Sequence, residues 1–230
     1  MKKISQEQLE KLNSLSITKP QEALELLREY DEKYSRDINL WLNSGGILID
    51  IGSDLFQINM VIEGITRLEA AIEHGKIDEP TMFYNLANGY SALHNLYRQI
   101  DGENYIFDPD NTPLLRAKQF YRKALLKSDR LNPDLRAQLW VNYGNCLSGL
   151  GRSVEALSAY DQALRFVPNH PMAKGNLAVE LFYFARITRH SIFLLDANKM
   201  LEEVLSGKGL QKYASVGAKR SFEKTREKIS

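Results

Sequence analysis

Residues Ala137–Pro168 read AQLWVNYGNCLSGLGRSVEALSAYDQALRFVP, and their spacing decides the fold. Trp140, Tyr143, Gly144, Leu147 and Leu150 recur at three- and four-residue steps, which places them on one stripe of a helix. After a turn at Gly149–Arg152, residues Ala156, Tyr160, Ala163, Leu164 and Val167 form a second stripe, and Pro168 stops it. Two amphipathic helices joined by so short a turn lie antiparallel. Gly144 on the first helix, with Ala156 and Ala163 on the second, leaves room for the backbones to approach, while Trp140 and Tyr160 fill the gap to a neighbour. A hairpin apolar on both faces cannot stand alone, so other hairpins must cover it.

This unit of about 34 residues resembles the tetratricopeptide repeat, whose pattern is W-x2-L-G-x2-Y, then A-x3-F, then P. Trp140, Gly144, Ala156, Tyr160 and Pro168 match it; Tyr143 and Leu147 stand where Leu and Tyr are usual. The resemblance implies an all-α, right-handed superhelical stack of antiparallel hairpins.

The rest of the chain supplies the neighbours. Residues 5–17 read as a short helix capped by Ser5 with Leu9, Leu12 and Leu15 inward, followed by a helix opening at Pro20 and carrying Ala23, Leu27 and Tyr30. Trp41 and Gly45 repeat the spacing of Trp140 and Gly144, but Gly64, Leu68 and Ala71 of the second helix arrive seven residues late. Seven residues is about two helical turns, so one turn added to each helix keeps both stripes in phase. Phe83, Leu86, Ala87 and Tyr90 open a third hairpin that resumes at Ala117, Tyr121 and Ala124 after an insert at 98–115. A fifth places Leu177, Ala178 and Leu181, then Ala197, Leu201 and Val204, again seven residues late. Lys174 takes its anchor position. The expected organisation is a single solenoid over 1–230, with hairpins near 5–35, 38–75, 80–130, 135–168 and 171–206. A cap helix at 209–229 closes it, with Leu210, Tyr213, Val216, Phe222 and Ile229 on its apolar stripe.

Composition narrows the function. Net charge is +1, so no global field draws the chain to nucleic acid or lipid. One cysteine, Cys146, permits no intrachain disulfide and fits a reducing compartment, and neither a spanning segment nor an apolar leader is visible. The cytoplasm is the expected location, with no membrane partner. No cofactor is expected.

A column of asparagines carries the functional expectation. Asn43, Asn85, Asn142 and Asn176 stand two residues after each anchor, and Asn88 and Asn145 three further on. Asparagine is a mediocre helix former, so its recurrence inside helices needs a cause. Two residues from the core stripe points away from it, which in such a stack is the concave side. Each amide either holds successive hairpins in register or, as the resemblance implies, holds the main chain of a bound peptide with its donor and acceptor. Tyr84, Val141, Met172, Val179 and Phe182 are expected at the rim, making an amide ladder with apolar pockets for a peptide or partner segment. The lysines of a carboxylate clamp are missing, since Leu42, Tyr84, Val141 and Gly175 stand there.

Other chemistry finds less support. Asp101, Glu103, Asp108 and Asp110 in the insert do not have the spacing of a calcium loop, so no metal is expected. Tyr105, Ile106 and Phe107 in a row are read as folding against the hairpin. His74, His94, His170 and His190 lie at scattered helix ends without partnered acids, and no enzyme activity is expected. Arg165 and His170 have the R-x4-H spacing of HEPN ribonucleases but straddle the Pro168 turn, so the match is read as coincidence.

Residues Gly175–Leu205, followed by AKRSFEK at 218–224, resemble the tail of the helical-repeat front ends of bacterial HEPN-type defence proteins. That resemblance implies the rival reading, a regulatory or sensor module of an RNA-cleaving defence system or an RNA-binding repeat. Lys219, Arg220 and Lys224 in the basic cap would be its contact surface. A non-enzymatic protein-interaction module ranks first, with another protein or peptide segment as partner and nucleic acid behind it.

Overall fold

The structure, a computed structural model, describes residues 3–35, 37–106, 110–207 and 216–229. All regular structure among the described residues is helical. The chain divides into two compact units, Met1–Ala124 and Leu125–Ser230.

The first unit contains α1 (Gln6–Thr18), α2 (Pro20–Tyr34), α3 (Ile38–Asp54), α4 (Ile58–Gly75), α5 (Pro80–Asp101) and α6 (Thr112–Leu125), the last crossing the boundary by one residue. Local signals set the helix starts. Ser5 and Gln8 form a reciprocal capping box at α1, and Pro occupies the first turn of α2 and of α5, where its missing N–H costs nothing. Asp37 accepts from the Asn39 and Leu40 amides at 2.8 and 3.2 Å to cap α3, and from the Ile4 amide at 3.1 Å, tying the first residues down. Leu12, Leu27, Leu40 and Ile47 share one buried cluster that joins α1, α2 and α3.

Close backbone approach occurs between α3 and α4. A Cβ built on Gly64 would lie 2.5 Å from the Gly45 carbonyl oxygen, so only glycine fits there. Beside it, Arg67 on α4 grips Asp31 on α2 through two bonds, of 2.9 and 2.6 Å, and donates to Ser44 on α3 at 3.0 Å. One guanidinium therefore ties three helices together.

The second unit contains α7 (Pro133–Gly149), α8 (Ser153–Phe166), α9 (Pro171–Thr188), α10 (Ser191–Ser206) and α11 (Val216–Ile229). Its small residues work differently from the expectation at one point. At Gly144 the space is filled by the Tyr160 ring, which would lie 2.5 Å from a Cβ there, and not by the α8 backbone. The helix α11 buries Phe222 to 1% exposure against α9 and α10, its ring seated on Gly175. Leu210 and Tyr213, and the side chain of Val216, lie outside the described residues.

The seven-residue delay is divided between the two helices of a hairpin. Measured from their anchors, α3 runs four residues further than α7, and α4 begins three residues earlier than α8. In the last hairpin α9 runs five residues further, the turn is one residue shorter, and α10 begins three earlier. Both hairpins thus lengthen at their turn ends.

Candidate functional site

In the second unit three asparagines lie on the first helices of the hairpins, α7 and α9. The Asn145 side-chain carbonyl accepts from the Tyr160 hydroxyl at 3.0 Å and from the Asn176 amide at 2.7 Å. Tyr160 is buried, and that burial, followed by the nearby Glu180 charge and Cys146, pushes its hydroxyl pKa far above the ordinary range. It therefore remains a donor. Glu180, itself buried, accepts from Ser148, which links α9 to α7 a second time. Asn142 accepts from Gln138 at 2.9 Å along the same helix.

Asn145 is exposed, and among the described residues nothing accepts from its Nδ2. Both acceptor positions of its oxygen are taken, so the two N–H donors are held in a fixed direction. Asn142 lies one turn before it, and Asn176, Val179 and Tyr183 follow at three- and four-residue steps on α9. Val179 is half-buried, Tyr183 exposed, and Met172 half-buried at the start of α9.

The first unit repeats the pattern. The Tyr121 hydroxyl on α6 donates to the Asn88 oxygen on α5 at 2.8 Å. The Asn13 amide on α1 donates to the Asn43 oxygen on α3 at 3.1 Å, and Asn43 in turn donates to the Asn39 carbonyl at 2.8 Å. Asn85 is exposed and makes no side-chain hydrogen bond among the described residues. Tyr84, half-buried, lies with its ring 6.3 Å from that of Tyr121, and burial raises its hydroxyl pKa against the opposing bond to Asn88. Within each unit, then, an asparagine on one first helix bonds an asparagine on the next.

Two residues expected at the rim are in the core. Val141 is 1% exposed and packs with Ala137, Ala163 and Ala173, because the next first helix covers that side of α7. Phe182 is 3% exposed and packs with Phe222, Leu201 and Val204. Neither is open to a ligand. Conversely, Asn13 and Tyr183 were not anticipated: α1 lacks an anchor aromatic to count from, and Tyr183 falls beyond the motif in the extension of α9.

Tyr105 packs edge-on against the buried His94 ring at 5.9 Å and under Arg98, Ile106 is 84% exposed, and Phe107 and Asp108 lie outside the described residues. Among the described residues no three His, Cys, Asp or Glu groups converge as a metal site would require. His170 is buried at the start of α9 with its Nδ1 accepting from the Ala173 amide at 3.3 Å, while Arg165 is exposed and paired with Asp161. That arrangement presents no joint surface to an RNA phosphate. Lys219, Arg220 and Lys224 are exposed on α11, with Lys219 3.9 Å from Glu223. No helix among the described residues is long and apolar enough to cross a membrane.

The fold places the chain among solved tetratricopeptide-repeat structures. It superposes on TTC0263, a thermophilic tetratricopeptide-repeat protein of Thermus thermophilus, with a TM-score of 0.60 at 18% identity, covering 96% of this chain and 97% of that one. YrrB, described as a tetratricopeptide-repeat protein with an unusual peptide-binding site, gives 0.57 at 18% identity over 96% and 92% of the two chains. MamA of MSR-1 gives 0.55 at 18% identity over 85% and 95%. No protein-family profile and no curated protein matches the chain. The protein has the tetratricopeptide-repeat fold.

Proposed function

We propose that this chain is a non-enzymatic protein-interaction module that holds an extended peptide or partner segment against the first helices of its hairpins. The observation that carries the reading is Asn145. Its oxygen is saturated by Tyr160 and Asn176, which leaves an exposed pair of amide donors pre-oriented for a main-chain carbonyl. Asn142 and Asn176 flank it, with Val179 and Met172 as half-buried apolar contacts. Asn43, Asn85, Asn88 and Tyr84 form the corresponding surface of the first unit. The description of YrrB as peptide-binding agrees with this use of the fold.

The test starts from peptides selected on the purified chain from a random display library, with affinities read by fluorescence polarisation. Asn145→Asp keeps the oxygen that Tyr160 and Asn176 use but replaces the outward donors by an acceptor. Binding is expected to weaken about tenfold or more, since a lost donor also leaves the peptide carbonyl facing an oxygen. Tyr160→Phe keeps the donors but removes one of the two bonds that orient them, and is expected to weaken binding by less than Asn145→Asp does. Peptides that bind Asn145→Asp as tightly as the parent, or a library that yields no binder, would overturn the proposal.

A further inference from the structure

The two hairpins that lengthen at their turns also project apolar side chains there. At the α3–α4 turn Leu55 is 47% and Phe56 61% exposed, and at the α9–α10 turn Ile187, Ile192 and Leu195 are 80%, 62% and 71% exposed. Ile192 and Leu195 are three apart on α10 and share a face. At the unextended α7–α8 turn Leu150 is buried and one apolar side chain, Val154, is 66% exposed.

Charge differs between the two tips, the second carrying one exposed acid, Asp196, beside Leu195. Beside Leu55 and Phe56 stand Asp50 and Asp54, both exposed and without an ion pair among the described residues. Between Asp50 and Phe56 there is no basic residue. Around Ile187 stand Arg186, Arg189 and His190, all exposed and likewise outside any ion pair among the described residues. Phe56 has a backbone conformation set by the end of α3. Its φ is 56°, a left-handed conformation that glycine adopts freely and a bulky side chain does not. Lys76 and Arg189 take the same conformation at the ends of α4 and α9, and at Phe56 it terminates α3, where the Gln57 amide donates to the Gly52 carbonyl at 2.7 Å.

We propose that the acidic, apolar α3–α4 tip docks on the basic, apolar α9–α10 tip of a second copy of this chain. Apolar side chains meet at the centre while Asp50 and Asp54 face Arg186 and Arg189 at the rim, the arrangement that fixes partner and orientation. The contact is heterologous, so each copy has one tip left over for another partner, and chains or rings grow with concentration. Each tip is small, which makes the association weak and rapidly reversible. The residues involved are distinct from the asparagines of the proposed peptide site.

Sedimentation velocity of the 230-residue chain tests it. Between about 10 µM and about 1 mM the weight-average sedimentation coefficient is expected to rise, and the rise to shrink in high salt. Phe56→Gly relieves the backbone strain while removing the ring, so it is expected to melt no lower than the parent and yet to stay monomeric. Asp54→Lys and Arg189→Glu, each alone, cancel the net charge of one tip and set a like charge against its partner, and are expected to be monomeric; mixed in equal amounts they again offer one acidic and one basic tip and are expected to associate. A parent chain that is monomeric throughout, association unchanged in Phe56→Gly, or a mixture that stays monomeric would each overturn the proposal.

Discussion

The Tyr160 hydroxyl donates to the Asn145 side-chain oxygen at 3.0 Å, joining the second helix of a hairpin to the first. Tyr121 and Asn88 make the same bond at 2.8 Å in the other unit. The aromatic of the A-x3-F pattern is therefore more than a packing group when it is tyrosine. It fixes the rotamer of an asparagine whose other side meets solvent.

Removing the two partners of that bond is expected to have unequal effects. Tyr160→Phe loses one hydrogen bond and keeps the packing, a cost of about 0.5–1.5 kcal/mol. Asn145→Ala also strands the buried Tyr160 hydroxyl and the Asn176 amide, and is expected to cost about 1–3 kcal/mol. Urea unfolding followed through Trp140, in a Trp41→Phe background, reads the second unit specifically. Equal losses in the two variants would show that Tyr160 finds another acceptor.

Neighbouring glycines on α3 and its partner helix are expected to respond in opposite directions. Gly64→Ala pushes a methyl to 2.5 Å from the Gly45 carbonyl and to 2.8 Å from Ile49, so the helices must separate, at a cost of about 1–3 kcal/mol. Gly46→Ala meets nothing within 4 Å and gains the helix propensity of alanine, about 0.5–1 kcal/mol. Thermal unfolding of the two variants checks the signs. A stabilised Gly64→Ala would mean that the α3–α4 contact is looser than described.

The helices and their packing in sequence-adjacent pairs are legible because helix periodicity and small residues at fixed spacing are properties of local sequence. The delay of seven residues was legible for the same reason, two turns being nearly in phase with none. The bonds of the amide column were not. Asn145 and Asn176 are 31 residues apart and Asn13 and Asn43 are 30, so no fixed repeat length pairs them. Val141 was placed at the rim because it precedes Asn142, yet one residue turns a helix by about 100°, enough to carry it from the open face to the covered one. Arg67 was invisible for a related reason: its partners Asp31 and Ser44 come from two other helices.

Stability is expected to fall on acidification through the histidines. Burial lowers the pKa of His170 below its ordinary 6.5, with Asp134 opposing the shift, and lowers that of His94, where Arg98 adds to it. The unfolded chain then binds protons more readily than the folded one, so the stabilisation is complete above about pH 6.5 and is lost as pH falls below it. His170 has a further reason to stay neutral, because its Nδ1 must accept the Ala173 amide to cap α9. Asparagine caps a helix as well and does not titrate, so His170→Asn is expected to hold its melting temperature at neutral pH and to lose less of it toward about pH 5.5 than the parent. His94 keeps a residual slope of the same sign in that variant. A variant whose melting temperature falls as steeply as the parent's would remove His170 from the account and leave the acid sensitivity to His94.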